Sequence, residues 1–199
     1  MSFQEFTALL LLATAMSFTP GPNTTLSTAL AANLGLRASM RFVCAVPVGW
    51  SLLLLLCALG VGALVTGAPA LRWSIKALGI GYVLWLAYKL AHSSQLAQAR
   101  PEQLQIGFAQ GVMLQFINIK AWLLALTIVA GWVAGQSDVL ERMLVIWPVM
   151  AGYALASNLL YACIGAALRQ WLTKGKRLLC FNRCMAALLL LTAAWMMAA

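Results

Sequence analysis

The stretch that decides the fold is Pro20-Gly21-Pro22-Asn23, a strong helix breaker inside the first long apolar segment of the chain. The flanking segments, 3–18 and 26–36, are almost entirely apolar. Backbone polar groups left unpaired in lipid cost several kcal/mol each, so such a break persists only where protein buries it or where it lines a cavity. In transporters, breaks of this kind commonly build the substrate site. The motif therefore predicts a membrane protein that moves a solute.

Composition sets the class of protein. Of 199 residues, 63% are apolar and 9% are charged, and the mean hydropathy is +0.91. Soluble domains carry about 25% charged residues. We therefore expect an all-α polytopic membrane protein forming a single membrane domain, 1–199, with no room for a separate soluble domain. The first apolar segment follows no basic region, which is not typical of a cleavable signal.

Six apolar segments are long enough to be membrane spans. They cover 3–32, 42–66, 74–91, 107–134, 143–168 and 184–199. The first and fourth are each interrupted, at Pro20-Gly21-Pro22-Asn23 and at Asn118-Ile119-Lys120. Three spans per half predict two inverted three-helix repeats, 1–91 and 107–199, with broken helices 1 and 4 and a cytoplasmic linker over 92–106.

The distribution of Lys and Arg predicts the orientation. Three alternate links hold nine of these residues: Arg37, Arg41, Lys89, Arg100, Arg169, Lys174, Lys176, Arg177 and Arg183. The opposite side holds three, namely Arg72, Lys76 and Arg142. The basic links are therefore expected in the cytoplasm and both termini outside. The net charge of +9 is thus mostly an orientation signal, and it does not predict nucleic-acid binding.

Two features of the interrupted segments suggest a site for an anion or a carboxylate. Pro22 suits the first position of a half-helix, whose positive N-terminal end would point into the protein. Lys120 lies near mid-bilayer, where a lysine indicates a functional site by default. No acidic residue occupies the centre of any span, so the ligand itself is expected to supply the counter-charge. A proline kink and a snorkelling lysine are the structural alternatives.

Polar residues at helical spacing extend the candidate set. Gln115 and Asn118 share one stripe of the fourth span, and Asn158 and Tyr161 share one stripe of the fifth. Interhelical packing explains such stripes as well as substrate contact does. The predicted substrate-binding residues are Pro20, Gly21, Pro22, Asn23, Thr24, Gln115, Asn118, Lys120, Asn158 and Tyr161.

The sequence lacks the residue patterns that metal binding, disulfide formation or catalysis would require. The single histidine, His92, lies in a link, and the five cysteines form no C-x-x-C motif, so neither a metal site nor a disulfide framework is predicted. No nucleophile–base pair or phosphate-binding loop is present. We expect no cofactor and no enzymatic activity. The expected partners are the lipid bilayer and a small amino-acid substrate, and a homo-oligomer remains open.

The sequence resembles the lysine exporter (LysE) superfamily, in its homoserine/threonine resistance (RhtB) branch. The resemblance covers the whole chain and rests on Thr19-Pro20-Gly21-Pro22-Asn23, on Lys76-Ala77-Leu78-Gly79, on 82–89 and on Asn118 with Lys120. Within that branch the chain looks most similar to cysteine/O-acetylserine exporters. One departure is Ile119, where the family usually has a proline, which leaves open whether helix 4 is truly broken.

The resemblance implies a bacterial inner-membrane secondary exporter of amino acids or small derivatives, coupled to the proton gradient. Two alternatives use a similar helical plan. A transmembrane thiol–disulfide carrier would need a cysteine at each break, and neither break has one nearby. A metal-ion exporter would need carboxylate or imidazole ligands inside the spans.

Overall fold

A computed structural model describes residues 1–93 and 106–198. Throughout these residues the secondary structure is helical, with no strand, as the sequence predicts. The predicted linker over 92–106 lies almost wholly outside the described residues. The helices are α1 Phe3–Phe18, α2 Pro22–Leu34, α3 Leu36–Ala58, α4 Val61–Gly67, α5 Pro69–Ala91, α6 Phe108–Ile117, α7 Ile119–Ile128, α8 Val139–Leu172 and α9 Arg177–Ala198. A π-helical segment, Val129–Val133, extends α7.

Three single helices are long and apolar enough to cross a membrane: α3, α8 and α9. A fourth candidate is the bent pair formed by α6 with 119–133, whose two parts meet at 67°. Helix α1 is apolar but shorter, with 16 residues. The described residues thus confirm the predicted all-α class, with three or four candidate membrane spans.

The boundary between α2 and α3 differs from the prediction. A single residue, Gly35, separates the two helices and has a φ of 89°, in the left-handed region that favours glycine. Arg37 and Arg41, expected in a link, therefore lie in the first turns of α3. Arginine side chains at a helix end can run along apolar surface while keeping the charge in water.

The predicted second span, 42–66, is two helices rather than one. Helix α3 ends at Ala58, and Gly60, with a φ of 94°, turns the chain before the short helix α4. The N–H of Gly60 donates to the carbonyl of Cys57, which satisfies an acceptor at the end of α3. An apolar run continues through this turn, so hydropathy alone does not reveal it.

Close packing joins helices from the two halves of the chain. Helix α2 packs against α8, α5 against α9, and α3 against both α6 and α8. A Cβ at Gly165 of α8 would collide with the Thr28 carbonyl of α2. One at Gly49 of α3 would lie 2.6 Å from the Val112 carbonyl of α6. Small residues at these crossings let the backbones approach, as is usual in membrane bundles.

Different chemistry holds the two ends of the bundle. At one end, the buried Arg142 of α8 donates to Asp138 at 2.7 Å and to Glu5 of α1 at 3.1 Å. The Arg142 guanidinium lowers the pKa of the Asp138 carboxyl. At the other end, Asn33 of α2 and Asn182 of α9 exchange hydrogen bonds of 2.8 and 3.0 Å.

Candidate substrate site at two helix breaks

The first break separates α1 from α2 by three residues. Thr19, the C-cap of α1, is extended, and Gly21, the N-cap of α2, has φ −170° and ψ −177°. Pro22 then occupies the first turn of α2, as the sequence predicts. The N–H of Gly21 donates to the Thr24 hydroxyl at 3.0 Å, and the N–H of Thr25 donates to the Gly21 carbonyl at 2.9 Å. These bonds close the first turn of α2 around the break.

A close approach, rather than its backbone angles, distinguishes Gly21. Its extended conformation is open to any residue. A Cβ at this position, however, would lie 3.3 Å from Cδ and 3.4 Å from Nζ of Lys120. The lysine therefore passes directly over the glycine.

The second break is a single residue. Asn118 has φ −89° and ψ 101° between α6 and α7. Its side-chain oxygen caps α7 by accepting from the N–H of Lys120 at 3.1 Å. The Trp122 indole reaches back across the break and donates to the carbonyl of Phe116 at 2.8 Å. The chain thus bends here although Ile119 stands in place of a proline.

The two breaks meet through side chains that are far apart in sequence. The Lys120 ammonium donates to the Thr19 carbonyl at 2.8 Å, across 101 residues. Asn23 and Gln115 exchange amide hydrogen bonds of 2.8 and 3.1 Å, across 92 residues. The Lys120 ammonium and the Asn23–Gln115 amide pair therefore join the first break to the second.

A cavity of about 60 Å³ opens between the breaks. This volume holds a few water molecules. Its lining comes from both breaks and from α3 and α8: Met16, Ser17, Thr19, Gly21, Pro22, Asn23, Thr24, Val46, Trp50, Asn118, Lys120, Ala121, Leu124, Met150, Ala154, Ser157 and Asn158. Seven of the ten predicted site residues belong to this lining: Gly21, Pro22, Asn23, Thr24, Asn118, Lys120 and Asn158.

The other three predicted residues lie beside the cavity. Pro20 is exposed. Gln115 is fully buried and accepts a hydrogen bond from the Asn23 amide. The Tyr161 hydroxyl donates to the carbonyl of Phe18 at 2.9 Å, which places it against the end of α1.

Asn158 connects the cavity to α2. Its side-chain oxygen accepts from the Ser27 hydroxyl at 2.8 Å, and its amide donates to the Ala154 carbonyl at 2.8 Å. Both residues of this contact are buried, with 3% exposure at Asn158 and 0% at Ser27.

Several lining residues were absent from the sequence-based set. Ser17 and Ser157 carry hydroxyl groups, but single serines in apolar helices give no distinctive signal. Trp50 is 4% exposed and lies among apolar neighbours of α3. It directly follows Gly49, the glycine that packs against α6, and this signal is visible only once the packing is known.

A family model described as LysE type translocator matches residues 14–199. The chain belongs to the LysE type translocator family. The resemblance seen in the sequence is thereby confirmed, and membership indicates a membrane transporter rather than an enzyme.

Curated relatives carry one recurring description, cysteine/O-acetylserine efflux protein. The Salmonella choleraesuis relative is 31% identical over 150 residues, which cover 75% of this chain and 76% of the relative. The Klebsiella pneumoniae relative is 30% identical over 174 residues, 87% of each chain. The Escherichia coli relative is 31% identical over 152 residues, covering 75% and 76%. No solved structure matches the chain.

Proposed function

We propose that this LysE type translocator is a secondary exporter of amino acids or small amino-acid derivatives in the bacterial inner membrane, driven by the proton gradient. The observation that carries the proposal is the meeting of both helix breaks at one cavity with a single ammonium group, that of Lys120. The description of the curated relatives as efflux proteins supports the same substrate class.

The substrate carboxylate is placed between Lys120 and the N-terminal end of α2. The first N–H groups of a helix have no partner inside the helix and attract anions, and a lysine adds a full positive charge. Asn23, Thr24 and Asn158 line the same cavity with amide and hydroxyl groups for the amino-acid head. The remaining proposed site residues lie at the two breaks or beside the cavity and hold the substrate-contacting residues in position: Pro20, Gly21, Pro22, Gln115, Asn118 and Tyr161.

Six spans in two inverted repeats provide the frame for alternating access. In the first repeat α1 with α2, α3 and α5 are the spans, and in the second α6 with α7, α8 and α9. The helix contacts support this plan, because α2 meets α8 while α3 meets α6, and α5 meets α9. The excess of Lys and Arg at the ends expected in the cytoplasm supports both termini outside.

The alternative functions find less support at the cavity. None of the described residues that line it is a cysteine, and Cys57, which is buried, belongs instead to the apolar cluster around Leu53 and Leu54. Within 1–93 and 106–198, no group of three His, Cys, Asp or Glu residues could hold a metal ion. The ammonium, amide and hydroxyl groups that line the cavity suit an organic solute instead.

An efflux panel on the purified protein in liposomes tests the proposal. Proteoliposomes are loaded with single labelled amino acids, including cysteine and O-acetylserine. They should release a subset of these amino acids faster than protein-free liposomes loaded in the same way. An imposed proton gradient should speed this release. Lys120→Met should abolish it, while the matched control Lys76→Met on α5 should behave as wild type. Release of no amino acid, or normal release by Lys120→Met, would refute the proposed exporter or its site.

Orientation has a separate test. A cysteine appended after Ala199, in a variant lacking the five native cysteines, should react with a membrane-impermeant maleimide in intact cells. A cysteine at Lys174 should react only after the membrane is opened. The reverse labelling pattern would overturn the proposed topology.

A further inference from the structure

Trp50 carries an unpaired polar group at the cavity. Its indole Nε1 is the one buried side-chain nitrogen or oxygen without a hydrogen-bond partner in the described residues, 1–93 and 106–198. The side chain is 4% exposed and lines the cavity between the breaks. Buried polar groups are almost always paired, so an unpaired one calls for an explanation, and a donor kept available for a substrate is one.

The surroundings of Trp50 differ from the rest of the cavity. Val46 of α3, Leu124 of α7 and Met150 of α8 line the wall together with it, and all three side chains are apolar. Polar lining residues come from the two breaks and from α8, where Ser157 and Asn158 lie. Trp50, Leu124 and Met150 belong to one buried apolar cluster, so the indole N–H is a donor among apolar neighbours.

Burial of the Trp50 indole nitrogen shows what substrate binding requires at this position. Nε1 is out of contact with solvent, so a substrate reaches it only when the lining residues around Trp50 move apart. With the carboxylate held near Lys120, the substrate side chain extends toward Trp50, and this movement gives the N–H access to it.

We propose that Trp50 is a substrate-binding residue whose indole N–H donates to an uncharged acceptor on the substrate side chain. The inference rests on the proposed export function. An indole N–H is a donor only, so it recognises an oxygen acceptor such as an ester carbonyl. None of the described lining residues is acidic, so a cationic substrate side chain would find no counter-charge there. The preferred substrates are therefore amino acids whose side chain is neutral and carries an acceptor.

Two probes of equal chain length separate this role from general packing. O-acetyl-L-serine carries an ester carbonyl on its side chain, and L-norleucine has a chain of the same length without oxygen. Exchange of labelled for unlabelled probe across liposomes gives an apparent affinity for each. Trp50→Phe keeps a ring at the wall and removes the N–H. It should weaken the apparent affinity for O-acetyl-L-serine about tenfold or more and leave that for norleucine unchanged.

The control is Trp195→Phe, at a tryptophan of α9 that is 47% exposed. This variant should keep the wild-type preference for O-acetyl-L-serine. An equal loss for both probes in Trp50→Phe would overturn the side-chain role of the N–H. Wild-type exchange of other amino acids but of neither probe would overturn the substrate class and leave the exporter standing. Exchange of no amino acid would instead refute the exporter itself.

A measurement on the wild-type protein covers the case in which Trp50→Phe fails to fold. The ultraviolet resonance Raman spectrum of tryptophan reports whether an indole N–H is hydrogen-bonded. Adding O-acetyl-L-serine should shift one indole from unbonded to bonded, and adding norleucine should not. Identical difference spectra for the two probes would overturn the proposal.

Discussion

The two helix breaks reach the same cavity by different chemistry. The first uses two prolines and a glycine, leaves three residues outside the helices, and separates α1 from α2. The second uses one asparagine that caps α7 with its side chain. Proline prevents a helix from continuing, whereas an N-cap stabilises the helix that follows it. A span can therefore be interrupted in two ways: by residues that end the preceding helix, or by a cap that stabilises the start of the following helix.

The largest effect is expected at Gly21. A Cβ there would already lie 3.3 Å from Lys120 Cδ, so the longer side chain of Gly21→Leu must displace the lysine from Thr19. We expect loss of amino-acid exchange in liposomes, with Gly21→Ala retaining part of it. Gly152→Leu is the control, because a Cβ at Gly152 meets nothing within 4 Å. Full exchange by Gly21→Leu would show that the close approach of the lysine is dispensable.

The next effect tests the connection between the breaks. Gln115→Leu removes both hydrogen bonds to the half-buried Asn23 amide, and each is worth about 0.5–1.5 kcal/mol. Thermal unfolding in detergent should show the lower stability, and the exchange rate should fall with it. Gln4→Leu, at an exposed glutamine of α1, provides the control. Equal behaviour of the two variants would mean that the Asn23–Gln115 pair does not hold the breaks together.

A smaller effect is expected at the cap of α7. Asn118→Ala removes the side-chain oxygen that accepts from the N–H of Lys120, and the loss of an N-cap typically costs about 1 kcal/mol. Asn118→Asp keeps an acceptor and should retain more stability than alanine. If thermal unfolding ranks alanine above aspartate, the second break does not depend on its cap.

The smallest effect is expected from Ile119→Pro, which makes the second break resemble the first. Ile119 is the first residue of α7, where proline is favoured because its N–H has no partner inside the helix. Asn118 already has extended angles suited to a residue before proline. Stability and exchange should stay close to wild type. A strong loss would show that the bend needs the freedom of a non-proline residue.

Sequence patterns indicate where helices end more clearly than how those ends pack together. Pro20 to Pro22 and Asn118 stand out because prolines, glycine and a lone amide contradict the apolar segments around them. The contact between Lys120 and Thr19 depends on how helices pack across 101 residues, which no local pattern records. Trp50 was missed for a related reason, since an aromatic residue among apolar ones looks like ordinary core. Helix ends at Gly35 and Gly60 depend on φ angles that hydropathy does not show.

Helix α8 has 34 residues, which gives a length of about 51 Å, well beyond the roughly 30 Å of a hydrocarbon core. One helix, with Pro148 inside it, therefore contacts Glu5 through Arg142, lines the cavity through Asn158, and approaches Gly35 through Arg169. Arg142 lies about 24 Å along the axis from Asn158, so these contacts are spread over nearly the whole helix. Under the proposed alternating access, α8 is thus the element that connects both faces of the protein to the substrate site.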